Sequence, residues 1–537
     1  MDSTTPAPMI PVGTAYMPSN NTDTKYRVPT RIGGKGYILP VLILLIGWLF
    51  IMHAGTMNKR FHPDEALYTT FARNAFVHGD WLLTSPLDKP PISIYANAIS
   101  QALFGGIITD KGVYDLPIRV GEFVARIPNL FAGIITVALF IALEKKLFPK
   151  QRPIGALCLI ASPLFMGLSA SAFTDSLMLM WVMGSWLAIE RRQSFLSGFL
   201  LMVGFATKPQ AIFFLPLLVM RGLWGHPPKN WLQFTVGMII PLVSLLAWDM
   251  SRGTTSIFAL GQYNYPTTGL IDDANNWGVR LSIWLWNLFF GMNPFLLMLT
   301  FIIIILRLIR TYYPHIEALA SSPIESQTAF LPSLRDFIGR RDAIYRVRTW
   351  AWGIFILFYS LLHIVLGIPL YDRYVLLIIP VTIFVIRRYL TLLAVVGTMI
   401  FSPLFAGMSG RDFYLPDGEG LIIMLADEIN ALPFGAIVYD HWRGWELGYY
   451  LGAWSDKRRV YYPDPITQAQ DSLNNPEMWT RYLIAPSGTD YELWLSAMRD
   501  VGYTVTIYKD IVAHREFYFT ERPDYFYIIF ALEPPPR

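Results

Sequence analysis

Acids and lysines stand at a few marked positions in an otherwise apolar chain, and their settings suit proton transfer and phosphate binding. The stretch "RFHPDEALYTTFARNAFVHGDWLLTSPLDKPPISIYA", residues 60–96, follows a segment apolar enough to enter a bilayer. Pro63 suits a helix start, which puts Asp64 and Glu65 in the first turn, where free N–H groups and the helix dipole favour ionised carboxylates. An ionised acid at an interface can accept a proton; first-turn acids can also do no more than stabilise their helix, and both roles are open here. Lys89 stands between Asp88 and Pro90-Pro91, whose rings enforce an extended backbone and present the ammonium at a fixed position, a sound way to hold a phosphate. The plain alternative is an exposed lysine in a Pro-rich loop. Asp175, in "AFTDSLMLMW", either caps the helix it begins, together with Thr174, or lies deeper and needs a partner. Lys208, in "GFATKPQAIFF", lies within an apolar block, where a cation costs roughly 2.5–3.5 kcal/mol. It is either functional or snorkels outward at the Pro209 break. Arg73, Arg119, Arg126, Asp372 and Arg373 add further charges able to line one cleft.

The elements that position these residues must cross a membrane. Of 537 residues, 53% are hydrophobic and 15% charged, against roughly 25% charged in soluble proteins. Apolar blocks run at 37–53, 121–143, 153–171, 173–190, 195–222, 232–250, 281–308, 350–368, 374–386 and 389–407. Counting the block broken at "ATKPQA" twice gives about eleven passages. The net charge of +4 is small and its basic residues lie in short clusters between apolar blocks, which suits orientation signals and argues against nucleic-acid binding. Lys145-Lys146, Arg191-Arg192, Arg221 with Lys229, Arg307 to Arg348 and Arg387-Arg388 recur at every second junction and face the cytoplasm by the positive-inside tendency. Segments 54–120, 207–209, 251–280, 369–373 and everything after 408 then face outward, as does the junction around 172. The single Cys158 allows no intrachain disulfide.

These features predict a mainly α protein, a polytopic transmembrane helix bundle with interfacial amphipathic helices and a C-terminal extracytoplasmic α/β domain. Residues 1–36 read as a disordered cytoplasmic tail, 37–408 as the membrane domain with its first outer loop at 54–120, and 409–537 as the outer domain. From Pro63, Leu67, Tyr68, Phe71, Ala72, Ala75 and Phe76 form an apolar stripe with Glu65, Thr69, Arg73 and Asn74 elsewhere, the period of a helix lying along the membrane surface. In the outer domain "GAIVYD", "RYLIAP" and "YTVTIY" read as strands and "YELWLSAMRDV" as a helix.

The order of "DE" with its aromatic-rich helix, "GDW", "DKPP", "ARIPNLFAGIIT", "TDSLMLMW" and "GFATKPQAIFFLP" resembles the lipid-linked-sugar glycosyltransferases of the GT-C superfamily. The branch is that of the protein O-mannosyltransferases and the aminoarabinose transferase of lipid A, and the likeness covers residues 40 to 220 best. The resemblance implies transfer of a hexosyl or pentosyl group from a polyprenyl-phosphate donor to a hydroxyl of a protein, lipid or glycan acceptor. It places the reaction at the extracytoplasmic face of the cell membrane, with inversion. It assigns Asp64 as catalytic base with Glu65 beside it, Asp175 as a further catalytic acid, and Lys89 and Lys208 to the donor phosphate, to which the outer-side Arg126 is added as a candidate. Asp88 and Arg373, with Tyr263 and Tyr265 of "GQYNYPTTGLIDDANNW", become candidates for sugar or acceptor contacts, although tyrosines there also suit an interface belt. Two positions depart from the aminoarabinose branch, which has an arginine three residues after the first acid and a Glu before KPP, where this chain has Leu67 and Asp88. No cofactor is required. Some relatives use a divalent metal, but His62 and His441 form no ligand set by spacing. A lipid or solute transporter is the competing expectation, since it too uses intramembrane Asp and Lys; it calls for matching charged sites in two halves, a symmetry this sequence lacks.

Overall fold

Proline, and the polar groups it frees, decide where the apolar blocks become helices and where they break. The computed structural model describes residues 38–56, 60–223, 226–264, 271–320, 343–367, 369–390, 395–400, 421–475, 479–513 and 525–535. The expected N-terminal tail, the boundary at 408–409 and Tyr265 lie outside the described residues. The chain begins with α1 (Ile38–Thr56), α2 (Pro63–Val77) and α3 (Ile92–Phe104), then a small hairpin of β1 (Ile107–Ile108) and β2 (Tyr114–Asp115). Next come α4 (Ile118–Val124), α5 (Ile127–Leu147), α6 (Gly155–Ile160), α7 (Pro163–Ser169), α8 (Asp175–Glu190) and α9 (Ser194–Phe205). A 3-10 turn at Pro209–Phe214 leads into α10 (Leu215–Leu218), α11 (Pro228–Ser251) and α12 (Ile257–Asn264), the last ending just past Tyr263. The helical part continues with α13 (Trp277–Met292), α14 (Pro294–Ala320), α15 (Ala343–Val365), a 3-10 turn at Asp372–Leu377 and α16 (Ile379–Ile386).

Two apolar blocks expected as single passages are broken. The block at 153–171 splits into α6 and α7 at Ser162-Pro163, where the Ser162 hydroxyl accepts from the Phe165 N–H (3.2 Å) and donates to the Gly291 carbonyl (2.6 Å). The block at 281–308 bends by 97° between α13 and α14. Pro294 cannot continue the ladder of α13, and Asn293, at φ 107°, caps α14 by accepting from the Phe295 N–H at 3.1 Å. By length and apolarity, two described helices suffice to cross a membrane, Ile118–Leu147 (α4 running into α5) and α11, or three if the bent pair is one span. Among the described residues the expected count of about eleven passages is not met by continuous helices; the other apolar helices there are shorter, at Ile38–Met52, Ile92–Phe104, Ser194–Phe205, Pro209–Leu223 and Trp350–Val365.

The core of the bundle is aromatic, with Phe140 stacked on Phe384 at 4.6 Å and the buried Trp186 edge-on to Phe384 at 5.1 Å. α9 and α11 approach backbone to backbone: a Cβ on Gly198 would meet the Phe234 carbonyl at 2.1 Å, and one on Gly237 the Phe195 carbonyl at 2.1 Å. Such small-residue crossings hold helices without hydrophobic driving force in lipid, and this one fixes the helix that ends three residues before Lys208.

The C-terminal region consists of α17 (Leu421–Ala431), β3 (Ile437–Tyr439), α18 (Gly444–Tyr450), β4 (Arg458–Val460), α19 (Pro465–Asn474), β5 (Arg481–Pro486), α20 (Glu492–Asp500), β6 (Thr504–Ala513) and β7 (Tyr525–Glu533). The sheet order is β4-β3-β5-β7-β6, with β4, β3 and β5 parallel and β7 antiparallel to both its neighbours. The three expected strands and the expected helix are present, together with β4 and β7.

α2 forms where its periodicity places it, but its polar face is not open to water. Glu65, Thr69 and Arg73 are buried. The Arg73 guanidinium donates to the carbonyls of Tyr449 (2.6 Å) and Gly448 (2.7 Å) at the end of α18. The helix expected to lie exposed on the membrane surface is instead covered on that side by the C-terminal region. Burial lowers the Arg73 pKa to about 10.

Candidate active site

The two neighbouring acids of α2 point to different partners. "HPDE" folds as a capping box: the His62 side chain accepts from the Asp64 N–H at 3.2 Å, Pro63 takes the first helical position, and Glu65 Oε2 accepts from the His62 N–H at 3.0 Å. Glu65 also accepts from the Ala172 N–H (2.7 Å) and from Arg126 Nε (3.2 Å). Arg126 in turn lies over the Phe61 ring, 5.1 Å from its centroid. Both side chains are almost wholly buried. Glu65, expected beside the catalytic base, and Arg126, expected on the donor phosphate, therefore tie α2 to the start of α5 and to the turn before α8. Their polar groups are engaged in that tie.

Asp64 faces the other way. Its Oδ2 meets the Arg373 guanidinium at 2.5 Å, and both side chains keep about a sixth of their surface accessible, 16% and 15%. Arg373 is held by cation–π contacts with Phe173 (5.2 Å) and Tyr371 (4.9 Å) at the head of the 3-10 turn. Burial pushes the Asp64 carboxyl up, but Arg373, with His62 and Lys89 behind it, outweighs burial and holds the carboxyl below its ordinary range.

Lys208 is buried, not snorkelling. It has an extended backbone at the end of α9, as a residue before proline requires, and its ammonium meets Asp175 Oδ1 at 2.6 Å and lies 5.4 Å from the Tyr374 ring centroid. Asp175 does not cap α8, nor does Thr174 make a side-chain cap; the second oxygen of Asp175 is buried without a hydrogen-bond partner among the described residues. Lys89 pairs with Asp88, both partly exposed. The Ile92 N–H bonds the Ala206 carbonyl at 3.3 Å, docking the DKPP stretch on the end of α9.

These pairs form one site. Lys89 and Arg373 act electrostatically on both Asp64 and Lys208, and Arg373 also feels Asp175. Three cations, Lys89, Lys208 and Arg373, balance three acids, Asp64, Asp88 and Asp175, so the cluster is neutral at rest and graded from partly open at Asp64 to buried at Asp175. An arriving phosphate would find three cations, each already held in place.

Tyr68 belongs to this cluster. It lies one turn beyond Asp64, is 3% exposed, and hydrogen-bonds to none of the described residues. Burial, then Asp64, push its phenol well above the ordinary value, so it stays a donor. In the sequence it reads as one member of an apolar stripe; the i, i+4 spacing from Asp64 is the signal that marks it. Arg119 pairs with Glu122 at 3.2 Å, away from the cluster. Among the described residues, no group of three or more His, Cys, Asp or Glu side chains is arranged to hold a metal ion.

No family model matches the chain, and neither does any curated protein sequence. Solved structures do match. The crystal structure of ArnT from Cupriavidus metallidurans bound to undecaprenyl phosphate superposes with a TM-score of 0.56 at 12% identity, covering 92% of this chain and 98% of that one. The apo structure of the same protein gives a TM-score of 0.52 at 13% identity over 93% and 98%. The chain thus has the fold of ArnT, a lipid A aminoarabinose transferase, and the GT-C resemblance carried by its motifs extends to its architecture.

Proposed function

We propose that the chain is a membrane glycosyltransferase that moves a sugar from a polyprenyl-phosphate donor to an acceptor hydroxyl at the extracytoplasmic face. One observation carries the reading: Asp64 and Lys208, 144 residues apart, share Lys89 and Arg373 as charged neighbours within a single partly open cluster, Asp64 paired to Arg373 and Lys208 to Asp175. An ArnT structure with undecaprenyl phosphate bound supports a donor of that class.

In the mechanism, the acceptor oxygen attacks the anomeric carbon, with inversion, as the bond to the phosphate oxygen breaks. The acceptor proton passes to Asp64, and the departing polyprenyl phosphate keeps the bonding electron pair, gaining one negative charge. Lys89 and Lys208 stabilise that charge as it develops, which raises the rate as well as the affinity. Arg373 links the two halves of the reaction. A donor phosphate that draws its guanidinium from Asp64 removes the main influence holding that carboxyl down; burial then makes Asp64 a stronger base once the donor is seated. Tyr68 can donate to the phosphate or the sugar, and Asp175, paired to Lys208, positions that ammonium. The scheme routes no step through a metal, and transfer should persist in chelator.

The test is transfer of labelled sugar from polyprenyl-phosphate donors in proteoliposomes. The wild type should release free polyprenyl phosphate, and Asp64→Asn should lower the rate by roughly 10²–10⁴. Unchanged turnover in that variant would remove the base from the scheme.

A further inference from the structure

The C-terminal sheet has a topological switch point that the membrane site does not use. β3 connects through α18 to β4 on one side, and the chain then crosses by α19 to β5 on the other side of β3. In open parallel sheets, ligands bind in the crevice outside the carboxyl ends of the strands at such a point. Here that point lies between β3 and β5; the residues that follow β3 and β4 are aromatic and stand at its rim, joined by Trp494 from the helix that follows β5. His441, just after β3, stacks almost parallel to Tyr461, just after β4, with centroids 5.4 Å apart and 9° between planes. Its ring also packs against Trp494 of α20 at 4.4 Å and Trp442 at 5.1 Å.

Two features set this cluster apart from a packed core. Tyr461 is 64% exposed, so a large aromatic face stays open beside the stack. His441 is fixed in one tautomer: Nδ1 lies 3.0 Å from the Tyr462 carbonyl, and a carbonyl can only accept, so Nδ1 carries the proton. In the uncharged form of the ring Nε2 is then the acceptor, and that atom hydrogen-bonds to none of the described residues. An open aromatic face packs against the C–H face of a pyranose, and an oriented acceptor beside it receives a ring hydroxyl.

We propose that the carboxyl edge of β3 and β4 is a saccharide-binding site, with Tyr461 and Trp442 as stacking surfaces and His441 Nε2 as hydroxyl acceptor. A lipid surface fits it less well, because the polar atom is held in place beside the rings and not displayed on a flexible basic chain. α18 leaves this edge at Gly444 and ends against α2 at Tyr449 and Tyr450. Seven residues of helix, about 10 Å, thus hold the aromatic edge at a set distance from the helix that carries Asp64. The further role, holding an acceptor that bears a saccharide, rests on the transferase reading; the binding does not.

The test is binding of full-length protein in detergent to an array of hexose and pentose oligosaccharides, with tryptophan fluorescence titration of those retained. Tyr461→Ala should weaken binding by roughly tenfold or more, whereas Tyr461→Phe should preserve it. Asp64→Asn, which stops transfer, should bind the oligosaccharides as the wild type does, so failure of the transferase reading leaves this result standing. Absence of any bound oligosaccharide in the wild type overturns the proposal, as does binding insensitive to Tyr461→Ala. Capture by anionic vesicles through Tyr461, in place of oligosaccharides, overturns it too.

Discussion

Ion pairs in the cleft and ion pairs in the scaffold use the same side chains to opposite ends. In the scaffold, carboxylates are saturated. Glu65 takes two backbone N–H groups and Arg126; Glu144 takes the N–H groups of Gly155 and Ala156, both at 3.0 Å, and pairs with Arg387 at 2.6 Å. In the cleft, two carboxylates are left short among the described residues. Asp175 keeps one oxygen unbonded, and Asp64 accepts only through Oδ2 among the described residues. A buried pair whose lone pairs are all met rigidifies; one left incomplete keeps capacity for a ligand, at a cost in stability. Burial and charge alone therefore do not tell the proposed base, Asp64, from Glu65; the number of partners does.

Experiments can break this contrast or sharpen it. Asp64→Asn should combine the large loss of transfer with an unfolding temperature in detergent close to that of the wild type, because it removes a charge but no saturated network. Glu65→Ala should do the reverse, destabilising by about 3–5 kcal/mol in thermal unfolding as the buried Arg126 loses its carboxylate partner. If it melts normally and only transfer is lost, Glu65 is catalytic and the contrast fails. Lys208→Met should lower turnover by roughly 10²–10³ through loss of charge stabilisation at the leaving phosphate, read in the same proteoliposome assay. The smallest effect is on pH dependence. In this scheme Asp64 must be ionised to act, and its lowered pKa before the donor binds puts the acid limb of the kcat/KM profile, which reports that state, below the ordinary carboxylate range. Arg373→Met leaves burial to act with less opposition, so that limb should move to higher pH; a stationary limb would detach Arg373 from Asp64.

Much of the site's local structure was legible in the sequence, and its division of labour was not. "HPDE" specifies a helix start by local chemistry alone, and Lys208-Pro209 specifies an extended break. Asp64 and Glu65 are adjacent, and only tertiary partners separate them: Arg126 lies 61 residues from Glu65, and Arg373 lies 309 from Asp64. The breaks at Ser162-Pro163 and Asn293-Pro294 are carried by prolines that a hydropathy average smooths over. β7, "YFYIIFALE", is apolar on both faces, as a strand inside a covered sheet must be, and so lacks the alternation that marks a half-buried one. In the sequence Arg73 is a polar-face residue and no more, because its acceptors are carbonyls more than 370 residues away.

Those carbonyls have a consequence for anyone who would dissect the molecule. Truncation before α17 would strand the Arg73 guanidinium without its acceptors and strip Glu122 of the Tyr450 hydroxyl, which bonds it at 2.7 Å. The wound would open on the very helix that bears the proposed base. The two pieces share buried polar contacts, and a chimera that borrows the C-terminal region from elsewhere must bring its own match for that arginine.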